Sequence, residues 1–411
     1  MPSLVRGFHA GLLAIAAAGL AIRVAYTVLV ADEVGGLGDY FFYHDSANFL
    51  AEGRGFINPF ALATGPAEPT AEHPPLWSFV LAITSLLGGT GFQSHKLTGC
   101  IVGAAAIVVV GLLARRVAGD RAGLVAAGIA AVYPTLIAAD GSLMSETLYG
   151  LLVGLALLAA YRFRDRPGWA MAAVIGGLLG LAALTRGEAL LLLPLLALVL
   201  CLGEQAPWRR RVLRFAAICA GAAVVILPWT VRNWAAFDRP VLVSINGSAV
   251  IAGANCDSVY SGENMGFWDI ECTAGVPRSL SEPEKADVWR ERGVDYALDH
   301  PGRLPAVGAV RVLRVWDFWQ PWRQTLAEGR DRTVQAVGTG MFYLLLPLAA
   351  WGLVLLRRRD APLSILLAPA VAVTLSALLG WGLPRFRHAA EIPLVVLAAV
   401  VLARPRSRPR S

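Results

Sequence analysis

A short stretch after the first long apolar segment concentrates the side chains that could do chemistry. Residues 39–45 place two carboxylates and an imidazole among aromatic residues. Charge at a boundary between water and lipid is costly and usually serves function. Partial burial can raise the pKa of a carboxyl group there, so that it acts as a general base. We therefore expect Asp39 to be catalytic. Tyr43, His44 and Asp45 are the candidates for substrate binding beside it.

The same stretch offers ligands for a metal ion. Asp39 with Asp45 or His44 would supply oxygen and nitrogen donors, but their spacing matches no defined metal motif. The sequence therefore leaves a divalent metal open. It also leaves open that Asp39 is a solvated loop carboxylate without a chemical role.

A second candidate carboxylate, Glu146, begins a later apolar run. It could be a first-turn residue that the helix dipole satisfies, or a catalytic partner that faces Asp39 across a cavity. Asp140 competes for this role, although we interpret it as a more exposed loop residue.

Composition identifies the class of protein that positions these groups. The 411 residues are 56% hydrophobic and 16% charged, whereas soluble domains are about 25% charged. Repeated apolar runs long enough to cross a bilayer predict a polytopic α-helical membrane protein. The arginines cluster in short links between the runs, which is the pattern of cytoplasmic loops. The net charge of +7 therefore reflects a lipid bilayer as partner, and no nucleic acid is expected.

The apolar runs predict about ten transmembrane helices in a single integral membrane domain, residues 1–411. Arginine-rich links at every second connection place both termini in the cytoplasm. The segment Pro75–Leu87 is too short to cross roughly 30 Å of hydrocarbon, so we expect a juxtamembrane helix there. This topology places two long loops outside, residues 31–95 and 233–336. Cys256 and Cys272 lie in the second loop and could form a disulfide there. The predicted spans are 9–30, 96–116, 121–138, 146–162, 168–184, 189–203, 212–231, 337–356, 362–381 and 389–404.

Two arginines before the last span break the charge pattern, because this topology puts Arg385 and Arg387 outside. An anionic ligand such as a lipid phosphate would explain them, since guanidinium groups bind phosphate through paired hydrogen bonds. The alternative is that they reach up to lipid headgroups. Arg186 and Arg232 also lie at predicted outer helix ends, where we interpret them as structural.

Several motifs carry a resemblance to a known family. The first loop contains Gly38-Asp39, Tyr43-His44 and His73-Pro74-Pro75, and later positions continue the likeness through Ser145-Glu146-Thr147, Leu184-Thr185-Arg186, Arg232-Asn233 and Arg385-Phe386. Together these segments resemble GT-C glycosyltransferases. The nearest branch is that of the bacterial proteins related to protein O-mannosyltransferases and the lipid A aminoarabinose transferase.

The resemblance implies a GT-C-like fold with juxtamembrane helices in the first extracytoplasmic loop. It also implies a sugar donor carried on polyprenyl phosphate and inversion at the anomeric carbon, at the outer face of a bacterial plasma membrane. The acceptor would be a hydroxyl of a cell-envelope glycan, lipid or protein. Asp39 matches the catalytic carboxylate of the family, although many relatives have Asp-Glu where this chain has Asp39-Tyr40.

On this interpretation each candidate has a role. Asp39 is the general base, and Glu146 positions the base or the acceptor. Arg385 and His73 hold the donor phosphate, with Arg387 in support. A lipid-linked polymerase or ligase of similar shape stays open. The interpretation from a different class is a lipid or solute transporter, which should show inverted repeats or ionisable residues buried in the middle of its helices. Neither is evident in the sequence, where the charges gather at one face.

Overall fold

The computed structural model describes residues 2–31, 38–60, 68–277, 279–321, 331–359 and 361–404, with side chains from residue 7 onward. Parts of both predicted outer loops, 32–37, 61–67 and 322–330, lie outside the described residues. The helices in chain order are α1 (Pro2–Leu29), α2 (Asp39–Ala51), α3 (Leu76–Leu86), α4 (Phe92–Ala118), α5 (Asp120–Val132), α6 (Pro134–Gly141), α7 (Glu146–Asp165), α8 (Trp169–Thr185), α9 (Ala189–Leu202), α10 (Trp208–Phe237), α11 (Asn246–Ala254), α12 (Asp257–Tyr260), α13 (Glu282–Asp299), α14 (Leu304–Val315), α15 (Arg332–Arg357), α16 (Leu363–Leu379) and α17 (His388–Leu402).

Five of these helices, α1, α4, α7, α10 and α15, are long and apolar enough to cross a membrane. A sixth span results if α5 and α6 count as one. The apolar helices α8, α9 and α16 are shorter, at 17, 14 and 17 residues, and α17 has 15. Each predicted span thus corresponds to a helix or a helix pair. The predicted all-α polytopic membrane fold is confirmed.

One predicted span is broken. The sequence predicts a continuous helix over 121–138, whereas α5 and α6 meet at an angle of 57°. Pro134 stands in the first turn of α6, and Tyr133 before it is extended, with ψ of 111°. Proline has no N–H to donate and disfavours a helical conformation in the residue before it. The chain therefore restarts the helix in a new direction.

Small residues let neighbouring apolar helices approach closely. A Cβ on Gly176 of α8 would lie 2.0 Å from the Ile218 carbonyl oxygen of α10, and one on Gly352 of α15 would lie 2.1 Å from the Leu397 carbonyl oxygen of α17. Within a bilayer no hydrophobic effect drives helices together, so close backbone contact of this kind is what stabilises a helix pair.

The predicted first loop contains two helices, α2 and α3, that pack against each other. Phe42 of α2 and Trp77 and Leu81 of α3 are fully buried. The Trp77 indole also donates a hydrogen bond to the Leu143 carbonyl, at 3.1 Å. This anchors the loop on the segment before α7, as the prediction of juxtamembrane helices requires.

The structure corrects the interpretation of Asp140 as an exposed loop residue. Asp140 is 3% exposed and accepts a hydrogen bond from Arg23 Nε of α1, at 2.5 Å. Thr147 donates to its other oxygen at 2.7 Å. Local sequence gave no sign of this partner, because Arg23 is 117 residues away. The pair is a buried ionic contact between helices, and it does not contribute to the cavity described below.

Candidate active site

Asp39 is the first residue of α2, directly after the extended Gly38. Arg385 donates a hydrogen bond from Nη2 to Asp39 Oδ2, at 3.1 Å. On the other side, His73 Nε2 lies 3.6 Å from Asp39 Oδ1. The structure therefore brings together three of the predicted site residues, from the first loop and from the turn before the last helix.

The electrostatics of Asp39 differ from the expectation of a raised pKa. Burial does raise the pKa of this carboxyl, but the attraction of His73, Arg385 and Arg186 outweighs it and the net pKa is lowered. Burial lowers the pKa of His73, and Arg385 and Arg186 add to this effect against the attraction of Asp39. Near neutral pH the pair is therefore a carboxylate beside a neutral imidazole. The arginines supply the charge that stabilises the carboxylate.

Glu146 organises the two arginines. It begins α7, is 1% exposed and accepts a hydrogen bond from Arg186 Nη1 at 2.7 Å. The same oxygen lies 3.6 Å from Arg385 Nε. Arg186 also donates to Glu188, at 2.7 Å. Glu146 thus faces the arginines and lies behind the described cavity lining.

These groups border a cavity of about 370 Å³, a volume within the range of small-ligand sites. Tyr43 follows Asp39 by one helical turn, so both point to the cavity, and Tyr43 donates a hydrogen bond to Ser145 at 3.2 Å. The other polar or charged residues of the lining are His73, Ser145, Thr185, Arg186, Glu188, Ser244, Asn246, Ser376 and Arg385.

Arg186 is the site residue that the sequence interpretation missed. It was interpreted as structural, yet it lines the cavity and holds two carboxylates. The one signal available was its place at a predicted outer helix end, which it shares with Arg232. The two residues differ in the structure, because Arg232 donates to the carbonyls of Thr70 and Phe56, both at 2.6 Å.

His44 and Asp45 do not join the cavity. Successive helical residues are rotated by about 100°, so these two residues point away from the face that carries Asp39 and Tyr43. His44 stacks on Phe92, with ring centroids 3.6 Å apart, and its Nδ1 lies 3.0 Å from His95 Nδ1. The predicted substrate-binding role of His44 and Asp45 is not supported by these positions.

Arg387 lies apart from Arg385 as well. Its side chain is 1% exposed and contacts two carboxylates, Glu391 at 2.5 Å and Asp317 at 3.2 Å. Residues 384–387 form a single tight turn, which directs the two arginines to different sides. The structure therefore places Arg387 between two buried carboxylates and apart from the described cavity lining.

The structure also bears on the metal that the sequence left open. Within the described ranges, no three or more His, Cys, Asp or Glu side chains are grouped so that they could hold a metal ion. The neighbours of Asp39 are Arg385 and His73, and the Asp45 or His44 that a metal pair would require lie elsewhere.

Comparisons with known proteins agree with this fold. Residues 72–231 match the family model described as dolichyl-phosphate-mannose-protein mannosyltransferase. This range includes His73, Glu146 and Arg186 but neither Asp39 nor Arg385. No curated protein matches the chain.

Solved structures are similar over nearly the whole chain. The archaeal oligosaccharyltransferase AglB from Archaeoglobus fulgidus, in complex with an inhibitory peptide and a dolichol-phosphate, has 19% identity and a TM-score of 0.56 over 95% of this chain and 50% of its own. An Archaeoglobus fulgidus oligosaccharyltransferase tethered to an acceptor peptide through a disulfide bond has 15% identity and a TM-score of 0.55 over 95% of this chain and 49% of its own. ArnT from Cupriavidus metallidurans, bound to undecaprenyl phosphate, has 18% identity and a TM-score of 0.42 over 98% and 78%.

The chain spans about half the length of these oligosaccharyltransferase structures. Together the fold and the family match confirm the predicted resemblance to GT-C membrane glycosyltransferases.

Proposed function

We propose that this protein transfers a sugar from a polyprenyl-phosphate donor to a hydroxyl acceptor, with inversion at the anomeric carbon. The observation that carries the proposal is the 3.1 Å contact between Asp39 and Arg385 in one cavity. The contact supports the proposal because a carboxylate is a suitable proton acceptor and a guanidinium group a suitable phosphate ligand, and this displacement needs both groups. The matched family name and the dolichol-phosphate of AglB support a lipid-phosphate donor.

The proposed reaction is an in-line displacement. The acceptor hydroxyl gives its proton to Asp39 while its oxygen attacks the anomeric carbon. The bond between that carbon and the phosphate oxygen breaks, and its electron pair leaves with polyprenyl phosphate. Arg385 and His73 stabilise the charge that develops on the phosphate. Attack from the face opposite the phosphate inverts the anomeric centre.

Donor binding would also activate the base. In the structure Arg385 stabilises the Asp39 carboxylate and so lowers its pKa. A donor phosphate competes for the same guanidinium, because it accepts paired hydrogen bonds from arginine. Asp39 then loses part of its stabilising partner and becomes a stronger base. The base would therefore reach full strength only when a donor is present.

Glu146 and Arg186 have supporting roles in this proposal. Glu146 keeps both guanidinium groups at the cavity edge, so it is a positioning residue and does not touch substrate. Arg186 is held by Glu146 and Glu188 at 2.7 Å each and adds positive charge to the phosphate site.

We further propose that the cavity opens on the extracytoplasmic side of a bacterial plasma membrane, with both termini in the cytoplasm. The alternation of arginine-rich links supports this orientation. A cell-envelope glycan, lipid or protein hydroxyl would then be the acceptor, since the proposed site faces the envelope.

Binding of undecaprenyl phosphate to the purified protein in nanodiscs tests the proposal. Arg385→Lys keeps the charge but loses the planar paired contact, so affinity should fall. Arg385→Ala should lose about 1.5–3 kcal/mol, which is roughly 10- to 150-fold. Arg239→Ala is the matched control, because Arg239 is exposed and pairs only with Asp287 among the described residues. Unchanged affinity in both Arg385 variants would contradict the proposed phosphate site.

A further inference from the structure

The segment that leads to His73 is held by the predicted second outer loop. Glu282, the first residue of α13, accepts a hydrogen bond from the Ala71 amide at 2.7 Å. The Ala71 carbonyl accepts a hydrogen bond from the Ile245 amide at 2.9 Å. Ala71 is fully buried in one apolar cluster with Ile245 and Ala286 of α13. The chain is therefore fixed between two parts of the second loop, two residues before the proposed phosphate ligand.

Asn58 of the first loop adds a second carboxylate to this contact. Its side-chain nitrogen donates to Glu282 Oε1 at 3.0 Å and to Glu72 Oε2 at 3.3 Å. The amide group carries two hydrogens, so it can serve both acceptors. We call Asn58, Ala71, Glu72 and Glu282 the loop clamp. Two carboxylates that share one donor nitrogen lie close together, and they repel each other if both are ionised.

The surroundings of the loop clamp favour a proton on this pair of carboxylates. Burial raises the pKa of Glu72 to about 8, and the negative charges of Glu282 and Asp39 contribute to the rise, against the attraction of Lys285. Burial also raises the pKa of Glu282. Arg232 of α10 lies near enough to Glu282 for their charges to interact. At neutral pH the clamp therefore holds one proton more than two hydrated glutamates would hold.

We propose that the loop clamp positions His73 for the donor phosphate, and that one proton shared by Glu72 and Glu282 keeps the clamp closed. The inference rests on the proposed function, because it takes His73 as a phosphate ligand. Residues 74–75 are both proline, and proline restricts its own φ and the conformation of the residue before it. A shift at Ala71 is therefore passed on to His73. Glu72 and Glu282 act as positioning residues, since neither belongs to the described cavity lining.

The proton of the loop clamp makes donor binding depend on pH. With a pKa of about 8, Glu72 in the closed clamp keeps a proton that a hydrated glutamate releases above about pH 4.5. Rising pH therefore disfavours the closed clamp until Glu72 is ionised. Above about pH 6.5 Asp39 stays ionised and His73 stays neutral, because the pKa of each is lowered. Between about pH 6.5 and pH 8.5 donor affinity should therefore fall through the clamp, while the charge of the proposed phosphate site is constant.

Binding of the monomethyl ester of undecaprenyl phosphate in nanodiscs, at about pH 6.5 and about pH 8.5, tests the inference. This ester keeps one negative charge at both pH values, because it lacks the second ionisation that a phosphate monoester has near pH 6. Wild-type affinity should fall by roughly 10-fold, the least expected for a lost hydrogen bond to a charged group. Glu72→Gln and Glu282→Gln should each abolish this fall, since an amide has no proton to release in this range and still accepts a hydrogen bond.

The remaining variants separate the clamp from the phosphate site. Glu291→Gln, on the exposed side of α13, should keep the wild-type fall, whereas Glu282→Ala has no acceptor for the Ala71 amide and should bind weakly at both pH values. Equal wild-type affinity at the two pH values, glutamine variants that keep the fall, or wild-type affinity in Glu282→Ala would each overturn the inference. Weaker binding in Arg385→Ala at about pH 6.5 would then still support the proposed function. Absence of wild-type binding at both pH values would overturn the two together.

Discussion

Arg385 reaches Asp39 across 346 residues of sequence and donates a hydrogen bond to it at 3.1 Å. One residue begins a helix of the first loop, and the other belongs to the turn before the last helix. Neither lies in the segment that matches a family model. The proposed base and the proposed phosphate ligand therefore meet only when the first-loop helix and the turn before the last helix have packed, and Arg385 is one of the groups that lower the pKa of Asp39.

Removing the charge of Asp39 should abolish transfer. Asp39→Asn keeps the shape of the side chain but cannot accept the acceptor proton, so we expect a loss of roughly 10²-fold or more. The readout is mass spectrometry of cell-envelope glycans in a deletion strain that carries the variant gene. Glu52→Gln is the matched control, because Glu52 caps the same helix and is exposed. Full restoration of the missing glycan by Asp39→Asn would refute the assignment.

Arg387 should matter for stability and not for donor binding. Arg387→Ala leaves Asp317 and Glu391 buried without their cation, which costs about 3–5 kcal/mol for a broken buried pair. Thermal unfolding in detergent should show this loss, whereas the folded fraction should bind undecaprenyl phosphate normally. A variant of unchanged stability with weakened phosphate binding would restore Arg387 to the donor site.

Most of the fold could be predicted because a bilayer imposes a simple rule on sequence. A helix that crosses lipid must be long and apolar, so its existence and approximate bounds can be read from the chain. The break at Tyr133-Pro134 does not follow from hydropathy, because hydropathy does not report the direction of a helix axis. Buried ionic contacts such as Arg23 with Asp140 were missed for a related reason, since the partners are distant in sequence.

The candidate site was predictable only in part. Asp39 and Tyr43 share a helical face, and charge at an outer helix end pointed to Arg385. Nothing in the local sequence separates Arg186, which lines the cavity, from Arg232, which binds backbone carbonyls. The two tryptophans of the cavity lining were also beyond reach, because Trp268 and Trp381 are separated by more than a hundred residues and meet only through tertiary packing.

Glu72 predicts a pH dependence of stability. Burial, together with the nearby Glu282 and Asp39, raises the pKa of Glu72 to about 8. The folded state therefore keeps a proton that the unfolded state releases above about pH 4.5. The free energy of unfolding should therefore fall as the pH rises from about 4.5 to about 8, by at most about 1.4 kcal/mol per pH unit. Glu72→Gln should flatten this part of the thermal unfolding profile, while Glu68→Gln, an exposed neighbour, should not. Parallel profiles for wild type and Glu72→Gln would contradict the prediction.

The proposed topology predicts that α3 does not cross the membrane. Glu68 and Gln93 flank this helix and are exposed, so cysteines placed there should be accessible from the same side. Glu68→Cys and Gln93→Cys, each in a background without the native cysteines, should both react with an impermeant thiol reagent in intact cells. Reaction of Gln93→Cys only after permeabilisation would place the two ends of α3 on opposite sides.

The Cys256–Cys272 disulfide confirms the pairing that the sequence suggested, and it closes a loop that contains Trp268. A loop of this size contributes about 3 kcal/mol in the chain-entropy model. Replacing both cysteines with serine should therefore lower the temperature of thermal unfolding in detergent. Cys219→Ser, at a free cysteine outside this loop, is the control and should leave that temperature unchanged. Equal unfolding temperatures with and without the disulfide would contradict the prediction.

The three-way contact of Arg387 with Glu391 and Asp317 also bears on how the protein is made. The last helix is short, contains Pro393 and has Arg387 and Glu391 at its start, and charged residues oppose the insertion of a helix into the membrane. The carboxylate that balances the charge of Arg387 from outside this helix is Asp317, which is synthesised 70 residues earlier. The translocon would therefore release this helix into the membrane after the helices that pack against it have already been inserted. Arg385 lies in the turn that opens this helix, so a chain that stops before this turn could not complete the proposed catalytic site.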